Sequence, residues 1–110
     1  LGSVPTGQLV NRVRFCWWAA EERGLLGSRH YVEKLLESGE DVKVALNLNF
    51  DMMASPNWAR QIYNGSDPEN QAPETVNAST YIMDLFERHF SGAGLTSKMV
   101  PLTGRSDYGA

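Results

Sequence analysis

The clearest pattern in this sequence is a strict alternation of large apolar residues with small or polar residues between Val42 and Met52. Alternation with a period of two residues is typical of a β-strand. An earlier segment, Asn11 to Ala20, is rich in β-branched and aromatic residues and is apolar on both faces from Phe15 onward. That composition indicates a strand covered on both sides. Arg60 to Tyr63 and Lys98 to Leu102 are predicted as two further, short strands.

Two other segments repeat apolar residues at the spacing of an α-helix. The first helix is predicted to run from Ser28, as its capping residue, to about Glu37, with Gly39 closing it. The second is predicted from Thr75, again a capping residue, to about Phe90. The resulting order of strand, helix, strand, loop, helix and strand predicts an α/β fold whose sheet is at least partly parallel. Residues 1–10 are predicted to form an irregular connection.

Composition narrows the class of protein. The chain has 110 residues, of which 42% are hydrophobic and 21% charged, as expected for one small globular domain. The formal net charge is -3 and no block of Lys or Arg is present, so nothing indicates a nucleic-acid partner. The longest uncharged apolar run, Phe15 to Ala20, is too short to span a membrane. Cys16 is the only cysteine, which excludes an internal disulfide, and it is predicted to be buried.

Acidic residues follow both of the longer predicted strands. Glu21 and Glu22 come directly after the first strand, and Asp51 closes the second. If these strands are parallel neighbours, the three carboxylates meet at one rim of the sheet, where ligands bind in α/β folds. The nearby cations are Arg23 and Arg29, so a metal ion is one interpretation. The other is a solvated Glu-Glu pair at a helix N-terminus and an Asp that forms a turn.

The neighbours of these acidic residues also have two interpretations. Asn47 and Asn49 share a strand face with Asp51. They are either polar groups that orient Asp51 or polar groups that meet a neighbouring helix or loop. Trp17 and Trp18 are predicted to lie in the core.

Three motifs in this order connect the chain to a known family. The segment from Trp17 to Val32 contains Glu-Glu-Arg-Gly-Leu-Leu-Gly-Ser, Leu46 to Met53 contains Asn-Phe-Asp-Met, and Gly104 to Tyr108 reads Gly-Arg-Ser-Asp-Tyr. Together they resemble the zinc aminopeptidase family of secreted bacterial leucine aminopeptidases and vacuolar aminopeptidase Y.

The resemblance implies a three-layer α/β/α zinc-exopeptidase fold with a largely parallel mixed sheet, of which this chain holds a part. It implies two zinc ions and peptide substrates with a free N-terminus, in a secreted, extracellular or vacuolar protein. By motif position, Glu21 would be the general acid/base and Glu22 a zinc ligand. Asp51 would bind the other zinc and help hold the substrate amine. Arg105 would line the site near the substrate's N-terminal residue.

The chain departs from the family pattern at its other metal ligands. The family takes these from an upstream His-x-Asp motif and a downstream His, and no His or Asp precedes Asn11. We therefore expect residues 1–110 to be a single partial catalytic domain that is inactive in isolation, with the remaining ligands outside this chain.

Two alternatives remain open on the same fold. One is an enzyme resembling glutaminyl cyclase, which uses one zinc ion and shares a stretch similar to Gly27 to His30. The other is a non-catalytic binding domain of the transferrin-receptor type. The presence of Glu21, Glu22 and Asp51 favours an enzyme. The Gly-Leu-Leu-Gly-Ser and Gly-Arg-Ser-Asp sequences of the motifs favour the aminopeptidase.

Overall fold

The computed structural model describes Gly7, residues 10–103 and residues 105–110, and its regular elements form an α/β arrangement. The helices and strands are α1 (Leu26–Ser38), β1 (Gln61–Tyr63), α2 (Val76–Gly92) and β2 (Lys98–Val100). Short 3₁₀ turns lie at Glu21–Arg23, Asp41–Lys43, Pro73–Thr75 and Asp107–Gly109. Most of the irregular connection predicted for residues 1–10 lies outside the described residues, as does Gly104.

Strands β1 and β2 lie side by side and run parallel, with Ile62 opposite Met99. One backbone hydrogen bond continues the ladder beyond the strands, from the N–H of Asn64 to the carbonyl of Val100 (2.8 Å). Parallel neighbours require a crossover connection, and α2 provides it. The two predicted short strands are therefore confirmed, although each is shorter than the predicted range.

The buried apolar residues in the described part of the chain are Leu25, just before α1, and Ile62, in β1, and helix α2 packs closely against the end of β1. Ile62 is 8% exposed and Gly65, in the turn after β1, is buried. A Cβ atom added to Gly65 would lie 2.2 Å from the carbonyl oxygen of Ser79, in α2. The Gly65 carbonyl accepts a hydrogen bond from Nε2 of Gln71 (2.7 Å), and Oγ1 of Thr80, which donates to the carbonyl of Val76 (2.8 Å), lies 3.2 Å from it. This position therefore requires glycine, because any side chain would push the turn away from the helix.

The ends of the helices only partly follow the sequence prediction. Helix α1 begins at Leu26, so the prediction that Ser28 caps it is wrong. The capping position is held by Leu25, whose φ of 61° is left-handed. Gly39 closes α1 as predicted, with a φ of 67°. Thr75 holds the capping position of α2, but its hydroxyl donates to the carbonyl of Ala72 (2.7 Å) instead of capping the helix.

The two longer predicted strands are not formed. Residues 12–18 and 44–50 have no strand pairing, so the strands predicted at Asn11 to Ala20 and Val42 to Met52 are wrong for this structure. A β-strand needs a neighbour for its backbone groups, and within the described residues β1 and β2 pair only with each other. The described sheet thus has two strands, and it bears out an α/β class without testing the three-layer arrangement.

The apolar side chains of these two segments are consequently exposed. Trp17 is 86% exposed, and Phe50 is 57% exposed. Cys16 is also exposed, so the predictions that Cys16 and Trp17 are buried are wrong. Trp18 is half-buried because its ring packs on Tyr31, with ring centroids 5.0 Å apart. Neither helix in the described residues has the length and apolar character needed to cross a membrane.

Candidate functional site

The Glu-Glu pair lies in a tight turn that leads directly into α1. The carbonyl of Glu21 accepts the backbone N–H groups of Gly24 (3.0 Å) and Leu25 (2.9 Å). The turn is flanked by left-handed residues, with φ values of 57° at Ala20 and 96° at Gly24. Glycine adopts such angles freely, whereas alanine does so at a cost in energy. The backbone of Glu21 and Glu22 is therefore fixed by local hydrogen bonds and not by a strand ladder.

Gly27 allows the chain entering this turn to lie against α1. A Cβ atom at Gly27 would lie 2.7 Å from the carbonyl oxygen of Ala19 and 2.8 Å from its nitrogen. The Gly27 N–H donates to that same carbonyl (3.1 Å). The second glycine of the Gly-Leu-Leu-Gly-Ser motif thus has a steric role, because it lets two backbone segments touch beside the acidic pair.

Asp51 is held by a buried serine from the Arg-Ser-Asp-Tyr loop. Ser106, 3% exposed, donates its hydroxyl hydrogen to Oδ2 of Asp51 (2.7 Å). The same hydroxyl accepts a hydrogen bond from Nδ2 of Asn49 (2.8 Å). A serine hydroxyl can donate once while also accepting, so both contacts form together. Asn49 therefore reaches Asp51 through Ser106, whereas the side chain of Asn47 is exposed.

The next residue of the loop contacts α1. Oδ1 of Asp107 accepts a hydrogen bond from Oγ of Ser28 (2.6 Å), and Ser28 is 1% exposed. The loop is also tied to the sheet, because the rings of Tyr63 and Tyr108 lie 4.8 Å apart. Burial raises the pKa of Tyr63, as do its neighbours Tyr108 and Asp51.

Four carboxylates share the electrostatic environment of this region. The pKa of Glu21 is raised, first by desolvation and then by the negative charges of Glu22, Asp51 and Asp107. In the described part of the chain, the ion pairs lie elsewhere on the surface: Lys34 with Glu37, and Lys43 with Glu40. The four acidic groups thus have no basic partner among the described residues.

This donor chemistry fits a metal cation, though incompletely. Carboxylate oxygens bind zinc, and like charges gathered without Lys or Arg favour a bound cation. Within residues 10–103 and 105–110, however, no three His, Cys, Asp or Glu side chains are close enough to hold an ion. His30 and His89 are both exposed, on α1 and α2 respectively. The described residues by themselves therefore form no complete metal site.

Arg105 is exposed and directly precedes the buried Ser106. Sequence reasoning assigned Arg105 a place near the substrate, gave no role to Ser106 or Asp107, and did not connect Ser28 with the site. All three residues lie inside the motifs that connect the chain to the family, so a signal was present for each of them. Ser28 was interpreted as a helix cap because serine is common there. Nothing in the sequence indicated the contact of Tyr63 with this loop.

Comparison with known proteins agrees with the motif analysis. Residues 4–109 match the sequence profile of peptidase family M28. The chain is 48% identical over 103 residues to leucine aminopeptidase 2 of Trichophyton equinum, covering 94% of this chain and 20% of that protein. It is 41% identical over 101 residues to aminopeptidase Y of Saccharomyces cerevisiae, covering 92% and 18%. It is 46% identical over 101 residues to an aminopeptidase of Pseudomonas aeruginosa, covering 90% and 18%.

The chain spans about a fifth of the length of these curated relatives. No solved structure gave a significant match. The family resemblance predicted from the three motifs is confirmed, since the family profile covers nearly every residue. The chain belongs to peptidase family M28, a family of metallopeptidases.

Proposed function

We propose that the protein carrying this chain is a metal-dependent aminopeptidase that removes N-terminal residues from peptides. The observation that carries this proposal is that the negative charges of Glu22, Asp51 and Asp107 all act on Glu21, and that no basic side chain pairs with these groups in the described residues. Such a site attracts both a metal cation and the ammonium group of a peptide N-terminus. Relatives named leucine aminopeptidase and aminopeptidase Y support the same reaction.

Glu21 is the general acid/base in this proposal. Desolvation first, and then the neighbouring negative charges, raise the pKa of Glu21, which is the direction that suits a carboxylate that both accepts and returns a proton. It takes a proton from the attacking water and delivers it to the leaving amine. The tight turn fixes the backbone at Glu21, which limits where its carboxylate can lie before substrate binds.

Glu22 and Asp51 are the proposed metal ligands from this chain. We propose two zinc ions, with the remaining ligands outside this chain, because the described residues supply no complete set. When bound, zinc acts as a Lewis acid toward the scissile carbonyl. Asp51 also faces the substrate amine, and Arg105 lines the site near the N-terminal residue of the substrate.

The decisive experiment replaces Glu21 by Gln in the protein that carries this chain. We expect hydrolysis of a leucine anilide substrate to fall by roughly 10²- to 10⁴-fold, because the proton-transfer group is lost while its shape remains. Bound zinc, measured by elemental analysis, is expected to stay at the wild-type level. Glu22→Gln and Asp51→Asn are expected to lower both activity and bound zinc.

Glu33→Gln is the matched control, because Glu33 is an exposed glutamate on α1. It is expected to leave activity and zinc unchanged. Full activity in Glu21→Gln would refute the role of Glu21. One zinc per protein together with cyclisation of N-terminal glutamine would favour the glutaminyl cyclase alternative. A wild-type protein without hydrolytic activity or bound metal would favour a binding domain.

A further inference from the structure

Two neighbouring residues of the Arg-Ser-Asp-Tyr loop contact two different parts of the proposed site. Ser106 donates to Asp51 (2.7 Å), and Asp107 accepts from Ser28 (2.6 Å), which lies in the first turn of α1 just after the Glu-Glu turn. We infer that Ser28 is a positioning residue of the active site, which anchors the loop through Asp107 and so keeps Ser106 on Asp51. This inference rests on the proposed function.

The contact of Ser28 with Asp107 is directional. Ser28 is 1% exposed, and a hydroxyl buried this deeply needs a partner. Its Oγ lies 3.2 Å from the carbonyl oxygen of Leu25 and 2.6 Å from Oδ1 of Asp107. A serine has one hydrogen to donate, and the shorter, charge-assisted bond to the carboxylate is the stronger of the two. The hydroxyl hydrogen therefore points at Asp107.

The contact also connects segments that are far apart in the chain. Ser28 and Asp107 are separated by 79 positions, and no strand pairing in the described residues joins the Glu-Glu turn to the segment before Asp51. The path from Ser28 through Asp107 and Ser106 to Asp51 links them by side-chain hydrogen bonds. Removing the hydroxyl of Ser28 would therefore free the loop that carries Arg105 and would weaken the hydrogen bond that Ser106 makes to Asp51.

The test compares Ser28→Ala with Ser28→Cys in the protein that carries this chain. Cysteine keeps the side-chain volume but is a weak donor, so both variants are expected to lose about tenfold to a hundredfold in kcat/KM. The matched control is Ser38→Ala, on the same helix. Its hydroxyl bonds only to a carbonyl of its own helix, that of Leu35 (2.9 Å), so activity is expected to stay at the wild-type level.

A second readout does not depend on activity. Hydrogen exchange in the peptide covering residues 105–110 is expected to accelerate in both Ser28 variants and not in Ser38→Ala. A double-mutant cycle with Asp107→Ala is expected to be non-additive, with the double variant no worse than Asp107→Ala alone. A structural role unrelated to the loop would instead give additive losses.

The outcomes of these experiments either support or overturn the role of Ser28 as a positioning residue. Normal kcat/KM and normal exchange in both Ser28 variants would overturn the inference. Recovery of activity in Ser28→Cys would also overturn it, because side-chain volume and not the hydrogen bond would then matter. An inactive wild-type protein whose loop exchange still accelerates in Ser28→Ala would refute the proposed function while supporting Ser28 as the anchor of the loop.

Discussion

Two regions of this molecule are held together in different ways. The β1–α2–β2 unit is built from a parallel ladder covered by a helix, with Ile62 in its small core. The motif region, comprising residues 19–28, 49–51 and 105–108, has a tight turn, one helix start and three side-chain hydrogen bonds made by buried serines. Strand pairing fixes the first region, whereas the second is fixed by one local backbone turn and by individual hydroxyl groups.

Because of this difference, we expect substitutions in the first region to change mainly stability and substitutions in the second region to change mainly activity. A ladder and a packed helix tolerate changes at exposed positions but lose stability when the core or a close backbone contact changes. A site held by single hydroxyl groups loses its geometry when one hydrogen bond is removed, at a modest cost to folding. Left-handed φ angles at Ala20 and Leu25 add local strain beside Glu21, as is common at functional sites.

The largest loss of stability is expected from Gly65→Ala. The new Cβ would lie 2.2 Å from the carbonyl oxygen of Ser79, so α2 has to move away from the turn after β1. We expect a loss of roughly 3 kcal/mol in the free energy of unfolding. Gly92→Ala is the control, because Gly92 ends the same helix and a Cβ atom added there would meet no atom within 4 Å. Urea unfolding measures both variants, and equal stability would show that the close contact is unimportant.

A slightly smaller loss is expected from Ile62→Ala. Ile62 is 8% exposed, and truncating a buried isoleucine typically costs about 2 to 3 kcal/mol. Met99, its partner across the ladder, is 38% exposed, so Met99→Ala is expected to cost less. Thermal unfolding gives the order of the two variants. If Met99→Ala were the more damaging, the core would lie on the other strand.

The sequence predicted one region much better than the other. The two short strands, α2 and the glycine that closes α1 follow from local patterns, because apolar spacing and glycine angles act within a few residues. The segments at 11–20 and 42–52 have equally clear patterns but lack strand neighbours in the described residues. A strand pattern therefore predicted which residues suit a sheet, and not whether a neighbour is present.

The long-range contacts of the candidate site were likewise not predictable from local sequence patterns. Glu21, Glu22 and Asp51 were identified by motif, and the charges of Glu22 and Asp51 both act on Glu21. The serine contacts join residues 55 to 79 positions apart, and no local pattern encodes such pairs. Ser28 is an example. A serine near the start of a helix is expected to cap that helix, and nothing local distinguishes such a cap from a contact with a distant loop.

Among glycines, Gly27→Ala is expected to harm activity more than stability. A Cβ at 2.7 Å from the Ala19 carbonyl would displace the backbone that leads into the Glu-Glu turn. We expect a loss of about 1 to 2 kcal/mol in unfolding free energy and roughly a hundredfold loss in kcat/KM, because catalysis depends on placement within about 1 Å.

Gly39→Ala is the control for this variant. Gly39 closes the other end of α1 with a φ of 67°, so alanine there is strained but far along the helix from Glu21. It is expected to lower stability by about 1 kcal/mol and to leave kcat/KM unchanged. Equal losses of activity in both glycine variants would mean that the helix as a whole, and not the turn, governs the site.

The smallest effect is expected from Asn49→Ala. Asn49 donates to Oγ of Ser106 (2.8 Å), which helps that hydroxyl aim its hydrogen at Asp51. Without this donor, Ser106 still bonds to Asp51 but is less firmly oriented, so kcat/KM is expected to fall only about fivefold, corresponding to roughly 1 kcal/mol. Asn47→Ala changes an exposed neighbour of the same type and is expected to have no effect. Unchanged kcat/KM in Asn49→Ala would show that Ser106 is oriented without Asn49, and that the motif region depends on fewer hydrogen bonds than its geometry suggests.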